Sequence, residues 1–217
     1  MNWFGKTNTK RVGIIVAHPD DETLWGGGTI LSNPTWKCFI VCLCRASDAE
    51  RSAKFAKTVR SLKSEGVMGD LDDGINQHPL QEDEVETAIL NLLPQEDFDL
   101  ILTHDPAGEY TKHLRHEEIS KAVILLWHTG KIKTNELWTF AYEDGGKSYL
   151  PRGIPSASIY KNISWWCWKK KYLLITKTYG FEPDSWEAET TPKSEAFWRF
   201  TNPETAVKWL ERGESVK

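Results

Sequence analysis

Apolar runs alternate with amphipathic stretches along the first two thirds of the chain. Val12 to Ala17, Trp36 to Cys44 and residues 98–104 (FDLILTH) are continuous apolar runs of strand length, the pattern of strands covered on both faces. Residues 67–71 (VMGDL) and 136–142 (ELWTFAY) are further strand candidates. Between them, Ala49 to Glu65 has helical spacing and is expected to stop at Gly66 as a C-cap. Glu82 to Leu93 reads as a helix ended by Pro94, and His113 to Trp127 as another. This alternation predicts an α/β fold, a mostly parallel sheet with helices on both faces. From Asn162 onward helical patterning dominates, as in SWWCWKKKYLLITKTY and NPETAVKWLERG. One domain is expected over residues 1–217, an α/β core over 1–145 followed by a mainly helical portion over 146–217. No internal repeat or low-complexity linker interrupts it.

Parallel sheets bind ligands outside the carboxyl ends of their strands, and polar clusters stand at two such ends. The first is His18-Pro19-Asp20-Asp21-Glu22, followed by Gly26 to Gly28. Proline fixes its own φ and biases His18 toward extended backbone, which makes a rigid turn. His18 and Asp21 can then converge as imidazole and carboxylate on zinc or a similar divalent ion. Asp20 stands beside them as a carboxylate able to take a proton from a water whose pKa the ion has lowered. Helix capping is the competing account; it explains one aspartate, but neither the second nor the histidine. The glycines let the following helix approach the sheet closely.

The second cluster follows the strand ending at His104. His113-x-x-His116 places two imidazoles on one helix face. One can ligate a metal while the other stays nearby as a cation or hydrogen-bond donor. Three protein ligands plus water is the layout of a catalytic zinc site. His104 suits either a supporting role or a core hydrogen bond. His78 falls in a polar loop and His128 near a helix end.

Composition narrows the partners. The formal net charge of −4, from 27 basic and 31 acidic residues, gives no support for nucleic acid or an anionic membrane as the main partner. No apolar stretch approaches the ~18 residues of a membrane span, and the N-terminus MNWFGKTNTKR has no apolar h-region, so a cytoplasmic location is expected. Cys38, Cys42 and Cys44 share one parity and should face the same way along a strand as buried, reduced thiols. Cys167 reads as packing, and no disulfide framework is implied. The eleven tryptophans have flat faces that suit sugar rings, although most tryptophans are core or boundary residues.

Ala17-His18-Pro19-Asp20-Asp21-Glu22 after a buried strand, a glycine-rich helix start and a His-x-x-His some ninety residues later resemble the LmbE-like (PIG-L) zinc-dependent deacetylases. The resemblance runs through about residue 145. It implies a Rossmann-like fold and removal of the acetyl group from an N-acetylglucosamine-type sugar or conjugate. The implied cofactor is Zn2+, or another divalent metal such as Fe2+. By motif position His18, Asp21 and His116 are the implied metal ligands and Asp20 the general base. His113 is the implied cation that stabilises the oxyanion and protonates the leaving amine. Arg51 is the candidate for the family's sugar-holding arginine, while strict spacing to Gly66 points instead to Lys54. Tyr110 lies near the position of an oxyanion-assisting tyrosine. Arg115 stands where members often carry an acidic residue, in His-Pro-Asp-His, and is expected to alter charge near the substrate or beside the catalytic histidine. The late histidine common in the family is absent after His128. The implied partner is a small N-acetylated sugar, and a homo-oligomer is allowed. Two other readings are hydrolysis of another small N-acyl amine or amide, and a metal- or sugar-binding module without turnover. The intact Asp20 argues against the last.

Overall fold

The computed structural model describes residues 9–74, 76, 78–111 and 113–212. The N-terminal stretch up to residue 8, Gln77 beside His78 and Gly213 at the end of the last helical segment lie outside them. Strand β1 (Arg11–Val16) runs between β2 (Lys37–Cys42) and β4 (Leu100–Thr103), parallel to both. Strand β3 (Glu65–Met68) adds to β2, and β5 (Leu137–Phe140) to β4, again in parallel. Alternate β1 residues feed opposite cores: Val12, Ile14 and Val16 pack in one cluster, Ile15 and Ala17 in the other. Helices α1 (Asp21–Ser32) and α2 (Ala49–Ser61) cover the first face. Helices α3 (Glu82–Leu92) and α4 (Leu114–His128) cover the second. Every β1 residue after Arg11 is buried, which is why the run carries no polar alternation.

The chain leaves β1 toward β2 and β3, then returns to β4 on the other side, so the strand order reverses between β1 and β4. That reversal opens a crevice at the carboxyl ends of these two strands. The two polar clusters of the sequence begin there.

Three details depart from the pattern in the sequence. Helix α2 stops at Ser61, four residues early, because Lys63 turns left-handed (φ 55°) and donates its N–H to the Arg60 carbonyl while Ser64 donates to Val59. That is a Schellman closure with lysine in the usual glycine position. Gly66 is no cap; it sits in β3, where a Cβ would meet the Ile40 carbonyl oxygen at 2.7 Å. Cys38 and Cys42 face one core, but Cys44 falls in the other, because strand β2 and its alternation end at Cys42.

The C-terminal portion is helical in the main, with α5 (Trp165–Leu173), a π-helical turn (Leu174–Tyr179), α6 (Trp186–Thr190) and α7 (Pro203–Arg212). It also supplies strands: a small pair, β6 (Tyr142–Glu143) with β7 (Arg152–Gly153), and two that extend the main sheet. β9 (Ser194–Phe200) runs antiparallel to β5, and β8 (Ile159–Asn162) antiparallel to β9. β9 escapes hydropathy patterning because its buried run includes a glutamate.

That residue, Glu195, is fully buried and pins β9 to the middle of α1. It accepts the Gly28 N–H at 2.7 Å, the Thr29 N–H at 2.6 Å and the Thr29 hydroxyl at 2.5 Å. The buried Lys171 ammonium stands 2.8 Å from it. A Cβ on Gly28 would lie 2.6 Å from the Ile163 side chain and 2.8 Å from Glu195 Oε1, whereas on Gly27 its nearest neighbour would be at 3.5 Å. The two glycines should therefore respond with opposite signs. Gly28→Ala is expected to destabilise the fold by about 1–3 kcal/mol, and Gly27→Ala to stabilise it by up to about 1 kcal/mol, as read by chemical denaturation.

Candidate metal centre and cleft

The turn after β1 is built around Asp21. Its Oδ2 accepts the His18 backbone N–H at 2.8 Å and its Oδ1 accepts the Trp25 indole N–H at 3.0 Å. The carboxylate is thereby held toward His18 Nδ1, 3.3 Å away, and His116 Nε2, 3.4 Å away. His18 Nδ1 and His116 Nε2 are themselves 3.3 Å apart. Three donors thus form a nearly equilateral triangle. Ligands about 2.0–2.1 Å from a tetrahedral ion stand about 3.3–3.4 Å from one another, so the donor set fits a divalent metal.

Each imidazole is backed by a carboxylate on its other nitrogen. Asp73 Oδ1 lies 3.3 Å from His18 Nε2, and Arg45 holds Asp73 in turn. Glu109 Oε2 lies 2.5 Å from His116 Nδ1. Such carboxylate–histidine pairs fix the ring and raise its basicity toward a metal. In the metal-free protein they favour a proton instead. Burial opposes charge on His116, but Asp21 and Glu109 overcome it and raise its pKa to about 10. Burial likewise opposes the Asp21 charge, yet His116 and His18 hold that carboxyl well below the ordinary range.

His104, at the end of β4, also stands near Asp21 and His116. Its Nε2 is already occupied by the Ala17 N–H at 2.9 Å, and its Nδ1 lies 3.0 Å from Glu109. A ring nitrogen that accepts an amide proton has no lone pair left for an ion. His104 is therefore a support: its ring stacks on His116, centroids 3.8 Å apart.

His113 precedes α4 and stacks on the other side of His116 at 4.3 Å. Its Nδ1 is buried without a hydrogen-bond partner among the described residues. Burial and the neighbouring His116 and His18 push its pKa down to about 3, which favours the neutral ring over the expected cation. His18, His113 and His116 also lie close enough to share an ion, so His113 faces the centre as a fourth donor group.

Asp20 occupies the N-cap position of α1, but its side chain makes no cap bond, so the capping account fails for it. Its backbone is strained, with φ at 137°, a conformation that costs a non-glycine residue on the order of 1–3 kcal/mol. The buried Glu22 holds it there by accepting the Asp20 N–H at 3.1 Å, and Tyr179 and Thr23 hold Glu22. Burial and the adjacent Asp21 charge push the Asp20 carboxyl well above the ordinary range. Burial first, with the Asp21 charge adding to it, takes Glu22 up to about 7 against the hydrogen bonds that lower it.

An open cleft of about 200 Å³ leads to these groups, lined among others by Asp20, Arg51, Tyr110, His113 and Trp186. Arg51 Nη1 stands 3.4 Å from Asp20 Oδ2. Tyr110 packs edge-on to Trp186 at 4.9 Å; burial and Asp21 raise its pKa, so its hydroxyl stays a donor. Lys54 does not line the cleft: its ammonium pairs with Glu50 at 2.6 Å one turn away on α2. Arg115 departs furthest from expectation. It is fully buried, turned away from the cleft, and donates to the carbonyls of Asp72 and His78 and to Glu118. One residue before His116 on α4, it points to a different side of the helix, where it clamps the loop that carries Asp73. Asp73, Glu109 and Trp186 were not marked by the sequence. The first two sit in turn-like Asp-Asp-Gly and Gly-Glu-Tyr stretches that resemble solvated loops, and only the fold turns them inward.

Replacing Arg115 by methionine leaves two carbonyls and a carboxylate without their donor. We expect a loss of about 2–3 kcal/mol on denaturation. Arg115→Lys should recover only part of it, because one ammonium cannot reach three diverging acceptors.

Known proteins share this framework. N,N'-diacetylchitobiose deacetylase from Pyrococcus horikoshii superposes with a TM-score of 0.65 at 17% identity, covering 91% of this chain and 88% of that one. Teicoplanin deacetylase, solved in a zinc-inhibited form, gives 0.64 at 13% identity over 87% and 97%. The 4-carboxy-2-hydroxymuconate hydratase of Pseudomonas putida gives 0.59 at 15% identity over 89% and 97%. These likenesses establish the fold. An uncharacterized protein of Acanthamoeba polyphaga mimivirus is 28% identical over 146 residues, which are 60% of this chain; the match spans 61% of that protein's length. The GlcNAc-PI de-N-acetylase (PIG-L) family model matches residues 14–127, from inside β1 almost to the end of α4, and the chain belongs to that family.

Proposed function

We propose that this protein is a metal-dependent hydrolase that removes the N-acetyl group from an N-acetylglucosamine-type sugar or conjugate. The triangle of donor atoms at 3.3, 3.3 and 3.4 Å, open to a cleft on one side, carries the reading. Family membership supports the reaction class. In this reading His18, Asp21 and His116 hold the ion, Zn2+ or a similar divalent cation. When bound, it supplies Lewis acidity and lowers the pKa of a water.

The chain's own groups do the rest. Asp20, held against the centre by its strained backbone, accepts a proton from the attacking water. As the water oxygen joins the acyl carbon, negative charge grows on the carbonyl oxygen. The unpartnered Nδ1 of His113 is positioned to donate to it, and a neutral imidazole suffices for that. The proton held by Asp20 then passes to the amide nitrogen, the C–N bond breaks, and acetate and a free amine leave. Arg51 and Tyr110 are assigned to the sugar or acyl group.

Release of free amine from N-acetylglucosamine conjugates tests this directly. Activity should vanish with a chelator and return with a divalent ion. Asp20→Asn should lower kcat by about 10²–10⁴-fold while metal content holds. A protein that carries no divalent ion and frees no amine, or an Asp20→Asn variant as fast as the parent, overturns the assignment. Because His113 also faces the centre, metal content of His113→Ala decides between donor and ligand: unchanged content supports the donor role.

Glu109 offers an independent check on the centre. Glu109→Gln weakens the carboxylate behind His116 and should reduce metal affinity by about 10–100-fold, read by competition with a chromogenic chelator.

A further inference from the structure

The whole-chain charge hides a local asymmetry. Between Gly145 and Phe181 the chain carries six lysines and one arginine but no aspartate or glutamate, in a protein of net charge −4. Among the described residues, the large apolar side chains that stay exposed gather in the same stretch: Leu150, Tyr160, Trp165, Trp166 and Leu173, with Trp186 beside the cleft just beyond it. Trp166 is 77% exposed and Trp165 58%, their rings edge to face at 4.6 Å. Soluble surfaces rarely leave two neighbouring tryptophans open to water without a use for them.

Helix α5 arranges this chemistry on one side. Trp166, Lys169, Lys170 and Leu173 follow the i, i+3, i+4, i+7 spacing of a single helical face, and Trp165 joins Lys169 one turn on. The opposite side packs on α1 and buries Lys171 against Glu195. Of the segment's cations, Arg152 pairs with Glu143 and Lys171 with Glu195. Lys147, Lys161, Lys169, Lys170 and Lys177 have no carboxylate within 4 Å among the described residues. The face is therefore apolar at its centre and uncompensated in charge.

We propose that this face of α5 docks on an anionic phospholipid bilayer surface. Indole rings settle at the headgroup level, while lysine stems lie along the apolar boundary and their ammoniums reach phosphates. A second copy fits less well, because a two-fold contact through this face would set lysines against lysines. The orientation leaves the cleft free. Lys170 donates to the Ser61 carbonyl at the end of α2, and Cys167 lies 3.5 Å from Ser32 at the end of α1. Those are the helix ends remote from the metal centre, since α1 begins there.

The test is co-sedimentation of the whole chain with phosphatidylcholine vesicles, with or without phosphatidylserine. Binding should require the anionic lipid and weaken between ~0.1 and ~0.5 M salt, as screening shortens. Trp165→Ala with Trp166→Ala should cost at least about tenfold in partitioning, and Lys169→Gln with Lys170→Gln about 30-fold, at ~1 kcal/mol per lysine. Both double variants should keep the parent's thermal unfolding and metal content. Three results overturn the proposal: no binding to anionic vesicles, binding that neither variant weakens, or a dimer in light scattering that the tryptophan variant splits. None of these outcomes depends on amine release, so they stand or fall apart from the hydrolase reading.

Discussion

Asp21 is a carboxylate buried at the end of a parallel strand, and such a charge survives only among cations or strong donors. The turn after β1 bends so that the His18 amide and the Trp25 indole hold it. Helix α4 is drawn in from the far side of the sheet, so that His116 meets the same oxygen. The demand then spreads outward, because two imidazoles so placed need their outer nitrogens satisfied. Asp73 and Glu109 do this, and Arg45 and Arg115 in turn hold the loop that brings Asp73 inward. A divalent ion at the triangle, as the proposed function has it, would answer the accumulated negative charge in one place.

The fold supplies the crevice and not the reaction. Deacetylases and a hydratase share this fold closely enough to superpose, so the chemistry depends on what stands around the triangle. Two features here point toward activating a water. Asp20 sits in a backbone conformation that costs energy and is kept there by the buried Glu22 and Tyr179. His113 presents a buried nitrogen that no group among the described residues satisfies. A binding-only site has no need of either.

The alternation of elements was legible in the chain because buried parallel strands and amphipathic helices leave local periodic marks. So were the ligand types at the end of β1 and on α4, which stand in compact motifs. The ends of elements were less so. Lys63 closes α2 although glycine is the usual choice, and β9 hides its strand pattern behind Glu195, whose charge makes sense only once the Gly28 and Thr29 amides and Lys171 are placed around it. Arg115 illustrates the same limit. Its place inside a motif suggested the substrate, yet a position next to His116 along a helix belongs to another side.

Local sequence thus determined the strand–helix order of the first two thirds, the parallel sheet and the candidate residues for a metal, since each rests on neighbours a few positions apart. Tertiary structure alone decided that Glu109 and Asp73 back the two histidines and that His104 gives its lone pair to Ala17. It also decided that Lys54 and Arg115 turn away from the cleft, while Trp186 arrives at it from a segment some 160 residues beyond the first motif. These are contacts between segments remote in the chain, and no local pattern records which of them will meet.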